Sequence, residues 1–375
     1  MTVDECPRGS AERVLRQISS WLLPGAEGID PLADEAQAQL LVGLAASTRL
    51  LGPLLVALDA GALELSAEVV ELAVAGHEDS MRWCMQLEMR LLEVMDWFEA
   101  AGGVEFLVIK GPAVAHLDEV DPSLRSFADI DLLIRASDMD LALETLVDHG
   151  AVRRVPQRRR GFDRRFVKSV GLVCGDLVEL DVHRTLCGGA HGLRIPLDDL
   201  FCHPDSFDLG GRTVAAPRRV HRALHASYHA VVGSEVPALR TLRDLADYLT
   251  SPDLPPEVLA AEAVGWRGEA VLAEAVRATF DTLSFDAPAW HDWLQANPAD
   301  PKELAIIAST QRESALPVAW STVRELSWPN RSRFLWAVAF PSAEVLQDRG
   351  LTRRGRVVEG LKRASPDLRS RLSRH

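Results

Sequence analysis

The sequence predicts an α+β protein in which a small mixed β-sheet core is flanked by N-terminal and C-terminal helical regions. Three observations predict it. Apolar residues recur at helical spacing from Pro31 to about Ala101. The period then shortens in three runs rich in β-branched residues, Val104 to Ile109, Asp129 to Ile134 and Leu177 to His183, which are joined by segments long enough for a helix or a loop. After Pro217 helical spacing returns. A length of 375 residues exceeds what one core usually supports, so two or three packed units are expected.

Taken in order, residues 1–101 form a helical N-terminal region with Leu40, Leu41, Leu44, Leu54, Leu55 and Leu58 as apolar positions and Gly52, Gly61 and Gly76 as breaks. Its last helix is expected over Ser80 to Ala100, with Met85, Leu87, Leu91, Leu92, Met95 and Phe98 as a broad apolar face and Gly102 and Gly103 as its stop. The core, residues 102–215, opens on the buried strand Val104 to Ile109. The turn Lys110-Gly111-Pro112 follows, with Pro112 suited to the first turn of a short helix through Leu117. Asp129 to Ile134 reads as the second strand. Ser137 to His149 reads as an amphipathic helix, with Ser137 as its N-cap and Gly150 as its stop. Leu177 to His183 reads as the third strand. Residues 216–345 form the helical C-terminal domain, with helices at Val220 to Val232 and Leu239 to Leu249, and residues 346–375 a basic tail.

Composition narrows the function. The chain is 47% hydrophobic and 25% charged, typical of a folded protein, and its net charge of −13 argues against a surface that coats nucleic acid. Any anion site must be local. Five cysteines without a C-x-x-C pair suggest neither a zinc knuckle nor a disulfide framework and fit a reducing compartment. Met1 to Ser10 lacks a secretory signature, and Arg49, Asp59, Glu64, Glu68 and Glu71 interrupt the apolar stretch Ala38 to Gly76 before it would span a bilayer, so the expectation is a cytoplasmic protein with no membrane partner.

The chemistry concentrates on two strands. Alternation places Asp129 and Asp131 on one face of the second strand and Ile130, Leu132 and Ile134 on the other. Two carboxylates beside a buried sheet call for a proton, a basic partner or a metal. In the third strand, Glu179, Asp181 and His183 share a face, so a further acid would meet the first two if the strands are adjacent. Three acids form an oxygen-rich site suited to Mg²⁺ with a triphosphate. Upstream, the turn at Lys110 and Gly111 would offer backbone N–H groups and an ammonium to phosphate, and Arg125 is a second candidate contact.

Together these residues resemble the nucleotidyltransferases of the DNA polymerase beta superfamily, whose pattern is a strand, a Gly-containing turn into a helix, an Asp-x-Asp strand and a third Asp on a later strand. More narrowly, Val108-Ile-Lys-Gly-Pro-Ala, Arg125, Asp129-Ile-Asp131-Leu-Leu-Ile and Glu179-Leu-Asp181-Val-His183 look like the bacterial uncharacterised nucleotidyltransferase family, with similarity running from about Trp97 to Leu249. The resemblance implies a nucleotidyltransferase core in which Asp129, Asp131 and Asp181 are catalytic and hold two Mg²⁺ ions around a nucleoside triphosphate. Lys110, Gly111, Arg125, His183, His225 and Asp244 would serve the nucleotide. The implied reaction moves a nucleoside monophosphate to a hydroxyl of a small molecule, peptide or protein. The Lys-Gly turn replaces the more usual Gly-Ser or Gly-Gly and so lacks a hydroxyl commonly used on phosphate.

Other features leave alternatives open. Eight basic residues from Arg153 to Lys168 against Asp163 read as a solvated loop or hairpin, or as an electrostatic funnel for a triphosphate or a transfer RNA end. His221, His225 and His229 lack the glutamate of a zinc helix and read as packing between the helical lobe and the core. Arg243, Asp244 and Asp247 also read as internal pairs. The competing functions are nucleotide addition to transfer RNA by a toxin-like enzyme, and a catalytically degenerate fold that acts as a binding or scaffold partner in a biosynthetic pathway.

Overall fold

A computed structural model describes residues 7–232, 236–311, 315–348 and 350. The chain opens with α1 (Pro7–Ser20), α2 (Glu35–Ser47) and α3 (Leu51–Asp59). Asp34 caps α2 by accepting from the Gln37 N–H at 2.8 Å. Val14, Ile18, Leu41 and Leu54 form their shared core. The next helix, α4 (Ala67–Ala100), is 34 residues long, well beyond the expected Ser80 to Ala100. Gly76 does not break it. A Cβ there would come within 3.3 Å of Leu51 Cδ1, so this glycine lets α3 lie close against α4.

The core is a five-stranded sheet of order β1-β2-β5-β4-β3, with β1 (Phe106–Val108), β2 (Ile130–Ile134), β3 (Val152–Arg153), β4 (Ser169–Val173) and β5 (Glu179–His183). β2 and β5 run parallel at its centre and the other neighbours pair antiparallel. Between β1 and β2 lies α5 (Pro112–Asp118), and α6 (Met139–Asp148) follows β2. Asp138, not Ser137, precedes the first turn of α6, and neither side chain caps it in the way expected. Strands β3 and β4 escape the sequence because one has two residues and the other follows directly on the arginine run. Between them lies α7 (Asp163–Phe166), and after β5 come α8 (Gly189–Arg194) and α9 (Leu197–Leu200). A separate hairpin, β6 (Asp205–Leu209) and β7 (Arg212–Ala216), turns on Gly210 and Gly211, both at positive φ.

The two sheet faces differ. Val108, Ile130, Leu132, Ile134, Val170, Leu172, Leu180 and Val182 pack against Leu87, Leu91, Val94 and Phe98 of α4 and Leu143 and Leu146 of α6. Leu107, Ile109 and Leu133 belong instead to the core of α10 (Arg219–Val231), α11 (Leu239–Leu249), α12 (Pro256–Gly265) and α13 (Glu269–Thr282), around Tyr228, Trp266 and Trp290. Helices thus cover both faces, and the strand residues of opposite phase, Asp131, Asp181 and His183, lie on the face toward α10 and α11.

Further helices continue to Ala343–Asp348, and Phe334 and Ala337 pack with Phe162 beside the sheet's far edge. No helix among the described residues is long and apolar enough to cross a membrane. Cys84, Cys174 and Cys187 are buried free thiols and Cys202 an exposed one, whereas Cys6 and nearly all of the basic tail lie outside the described residues.

Candidate functional site

Parallel pairing of β2 with β5 sets Asp131 opposite Asp181 and Leu133 opposite His183. Ligand atoms of Asp131, Asp181 and His183 all lie within 4.8 Å of one another, a group able to hold a divalent ion. Gly171 on β4 stands opposite Asp181, and a Cβ there would crowd Asp181 Oδ1 at 3.2 Å. Glu179 shares their strand face but turns to an ion pair with Arg154. Asp129 is not part of the group. It precedes β2, so the alternation that aligns Asp131 with Asp181 no longer governs it.

Asp131 is 2% exposed, and its Oδ1 receives the Lys110 ammonium at 3.0 Å and faces His183 Nε2 at 2.7 Å. Burial alone would raise its pKa, but the charge of Lys110 and the hydrogen bond and charge of His183 outweigh it and hold the carboxyl well below its ordinary value. His183 Nδ1 faces the Thr185 carbonyl at 3.2 Å, and on the other side of the ring Nε2 donates to Asp131 Oδ1. Asp129 behaves oppositely. Burial and the neighbouring Asp131 charge raise its pKa against the pull of Lys110 and Arg49.

Asp129 and Asp131 open onto a cavity of about 450 Å³ whose lining also includes Arg49, Lys110, Gly111, Arg125, His225 and Asp244 but neither Asp181 nor His183. Gly111 has φ +45, a conformation that favours glycine, at the turn into α5. The phosphate cradle expected at this turn is thin: Pro112 has no N–H and the Ala113 N–H donates to the Lys110 carbonyl. Arg125 lines the cavity, yet its guanidinium donates to Asp244 at 2.6 Å and to the Gly111 carbonyl at 3.4 Å. Burial would raise the Asp244 carboxyl, but Arg125 and Arg240 keep it below its ordinary value. The two residues expected on nucleotide therefore hold each other and clamp the turn to α11.

His225 Nδ1 faces the Ile109 carbonyl at 3.1 Å, so its proton sits there. Burial, then the Lys110 charge, push this histidine well below its ordinary pKa, leaving a neutral ring whose Nε2 lone pair has no hydrogen-bond partner among the described residues. His229 donates or accepts at Thr241, and His221 pairs with Glu262, so the three histidines serve separate contacts.

Two contributors lay outside sequence reach. Lys168 belongs to the arginine run, but burial and Lys110 lower its pKa while Asp131 and Asp181 act against that, which places its ammonium in the field of the acids. Part of the rest of the run is paired: Arg153 with Asp163, Arg154 with Glu179 and Arg164 with Asp140, while Arg159 donates to the Phe340 carbonyl. Arg49, the second contributor, comes from the N-terminal helices, where no local motif marks it.

The uncharacterised nucleotidyltransferase family has a sequence profile that matches residues 34–281, two thirds of the chain, and the chain belongs to that family. No curated protein matches it.

Proposed function

We propose, with that membership as the premise, that the protein transfers a nucleoside monophosphate from a nucleoside triphosphate to a hydroxyl of a small molecule, peptide or protein with the help of Mg²⁺. The observation that carries this reading is the convergence of Asp131, Asp181 and His183 within 4.8 Å, with Asp131 on the wall of a cavity about 450 Å³ in volume. Two carboxylates and an imidazole suit a divalent cation; the carboxylates suit Mg²⁺ and the imidazole extends the range to Mn²⁺. Asp129, on the same cavity, is the residue left to hold a second ion together with phosphate oxygens. When bound, such ions neutralise charge on the phosphate and on the leaving pyrophosphate.

The chain's own residues supply the rest. Lys110, whose ammonium rests on Asp131 at 3.0 Å, would reach the phosphates once a cation held by the acids balanced that carboxylate. Asp181, a third exposed, is free to orient the acceptor hydroxyl and draw its proton. His225 Nε2 accepts from a ligand hydroxyl or amino group. The Arg125–Asp244 pair keeps the Gly111 turn in place, which positions Lys110.

Titration calorimetry with each triphosphate and Mg²⁺ tests the reading. Binding that requires the metal and disappears in Asp131→Ala/Asp181→Ala supports it, and a chain that binds none of them refutes it. Mass spectrometry of acceptors incubated with protein, ATP and Mg²⁺ then reads the transferred group.

A further inference from the structure

We infer that Arg49 is a phosphate-binding residue of the cavity, supplied by the N-terminal helices, and that it selects nucleoside triphosphates over monophosphates. The assignment rests on the nucleotide reading above and deepens it.

The first observation is an accounting of cations. Each of the other arginines on the cavity wall is held by acids: Arg125 by Asp244, Arg240 by Glu119 and Asp244, and Arg222 by Asp118 and Asp205. Lys110 rests on Asp131. Arg49 lines the same cavity, is exposed, and among the described residues makes no ion pair. A triphosphate carries several negative charges, and a guanidinium free of carboxylates can receive phosphate oxygens through two parallel N–H donors.

The second observation is how the corner is built. Arg49 lies between α2 and α3 at φ +61, a left-handed conformation that costs a side chain-bearing residue roughly 1 kcal/mol and marks sites held by their surroundings. The corner is fixed by the Thr48 N–H on Leu44 O at 3.0 Å, the Arg49 N–H on Ala46 O at 3.1 Å and the Leu50 N–H on Ala45 O at 2.7 Å. Leu50, Leu51 and Leu54 are buried behind it. Three residues on, Gly52 lies so close to the segment before Arg125 that a Cβ would stand 2.0 Å from the Leu124 carbonyl oxygen. The corner is thus seated against the segment that supplies Arg125, and the side chain it presents faces the acids closely enough for its charge to act on Asp129. A glycine would fit this backbone better, so the arginine stands where its charge, and not its conformation, suits the place.

Calorimetry on the full chain decides the matter, with MgATP, MgGTP, MgCTP and MgUTP, the matching monophosphates, and inorganic tripolyphosphate as competitor. Arg49→Gly removes the guanidinium and relieves the left-handed backbone, so it folds with equal or higher thermal stability. It is expected to weaken triphosphate binding at least tenfold, to change monophosphate binding less than twofold and to abolish competition by tripolyphosphate, with Arg49→Lys between the two. Wild-type-like triphosphate affinity in Arg49→Gly, or equal losses for mono- and triphosphates, overturns the assignment while leaving nucleotidyl transfer standing. A wild-type chain that binds no triphosphate overturns both.

Discussion

Asp131 and Asp181 face each other across adjacent parallel strands although fifty positions separate them in the chain. Without a cation their charges oppose one another, and among the described residues Asp181 makes no hydrogen bond whose partner its loss would orphan, His183 Nε2 lying 4.0 Å away. Asp181→Ala should therefore fold with unchanged or slightly raised Tm in metal-free buffer. It should lose the rise in Tm that Mg²⁺ or Mn²⁺ produces and reduce transfer at least about 100-fold, since even residues behind a metal ligand cost 10- to 100-fold. Thermal scans with and without metal, run beside an activity assay, check both halves.

Arg125 and Asp244 form a buried pair, 9% and 10% exposed. Removing the acid alone leaves two guanidiniums short of a partner in a dry site, so Asp244→Ala should cost about 3 to 5 kcal/mol in chemical unfolding. Replacing both partners, Arg125→Met with Asp244→Leu, should recover more than half of that loss, because no uncompensated charge remains. Urea midpoints of the single and double variants provide the measurement.

Gly52→Ala should destabilise by about 1 to 3 kcal/mol, because backbone atoms of Leu124 must move to admit the methyl group. The displaced corner should also weaken triphosphate binding without any change in the cavity's charge. Unfolding curves paired with calorimetry read the two effects.

Acid should loosen the fold through His191. This ring is 1% exposed, and burial, then the charge of Arg194, lower its pKa from 6.5 to about 4. The unfolded chain binds the proton more readily, so the contribution to stability is complete above pH 6.5 and is lost as pH falls toward 4, by up to roughly 3 kcal/mol. His191→Leu should flatten the pH dependence of the urea midpoint across that window.

What the sequence reveals here follows range of interaction. Alternation within β2 and β5 is local, so the faces of Asp131, Asp181 and His183 were legible, as was the glycine at the Lys110 turn. Alternation stops at the end of a strand, which is why Asp129, read on the face of Asp131, lies outside the cluster of Asp131, Asp181 and His183. Ion pairs are not local. Arg154 meets Glu179 and Arg164 meets Asp140 only after the sheet has formed, so the run of positive residues looked wholly open when folding pairs part of it. Arg125 and Asp244 were each legible as polar residues facing a site, but their partnership depends on α11 docking onto the turn. The hairpin β6–β7 was readable from Gly210-Gly211 between alternating segments, a signal that the surrounding short helices obscured.

One helix serves two masters in this fold. Val69 and Ala73 of α4 are buried with the N-terminal helices, while Leu87, Leu91, Val94 and Phe98 cover the sheet. A gene fragment starting at residue 102 would encode strands with one side stripped bare, and its product would aggregate. The inheritable module is consequently longer than the catalytic sheet, and shuffling or truncation must carry α4 along with the acids.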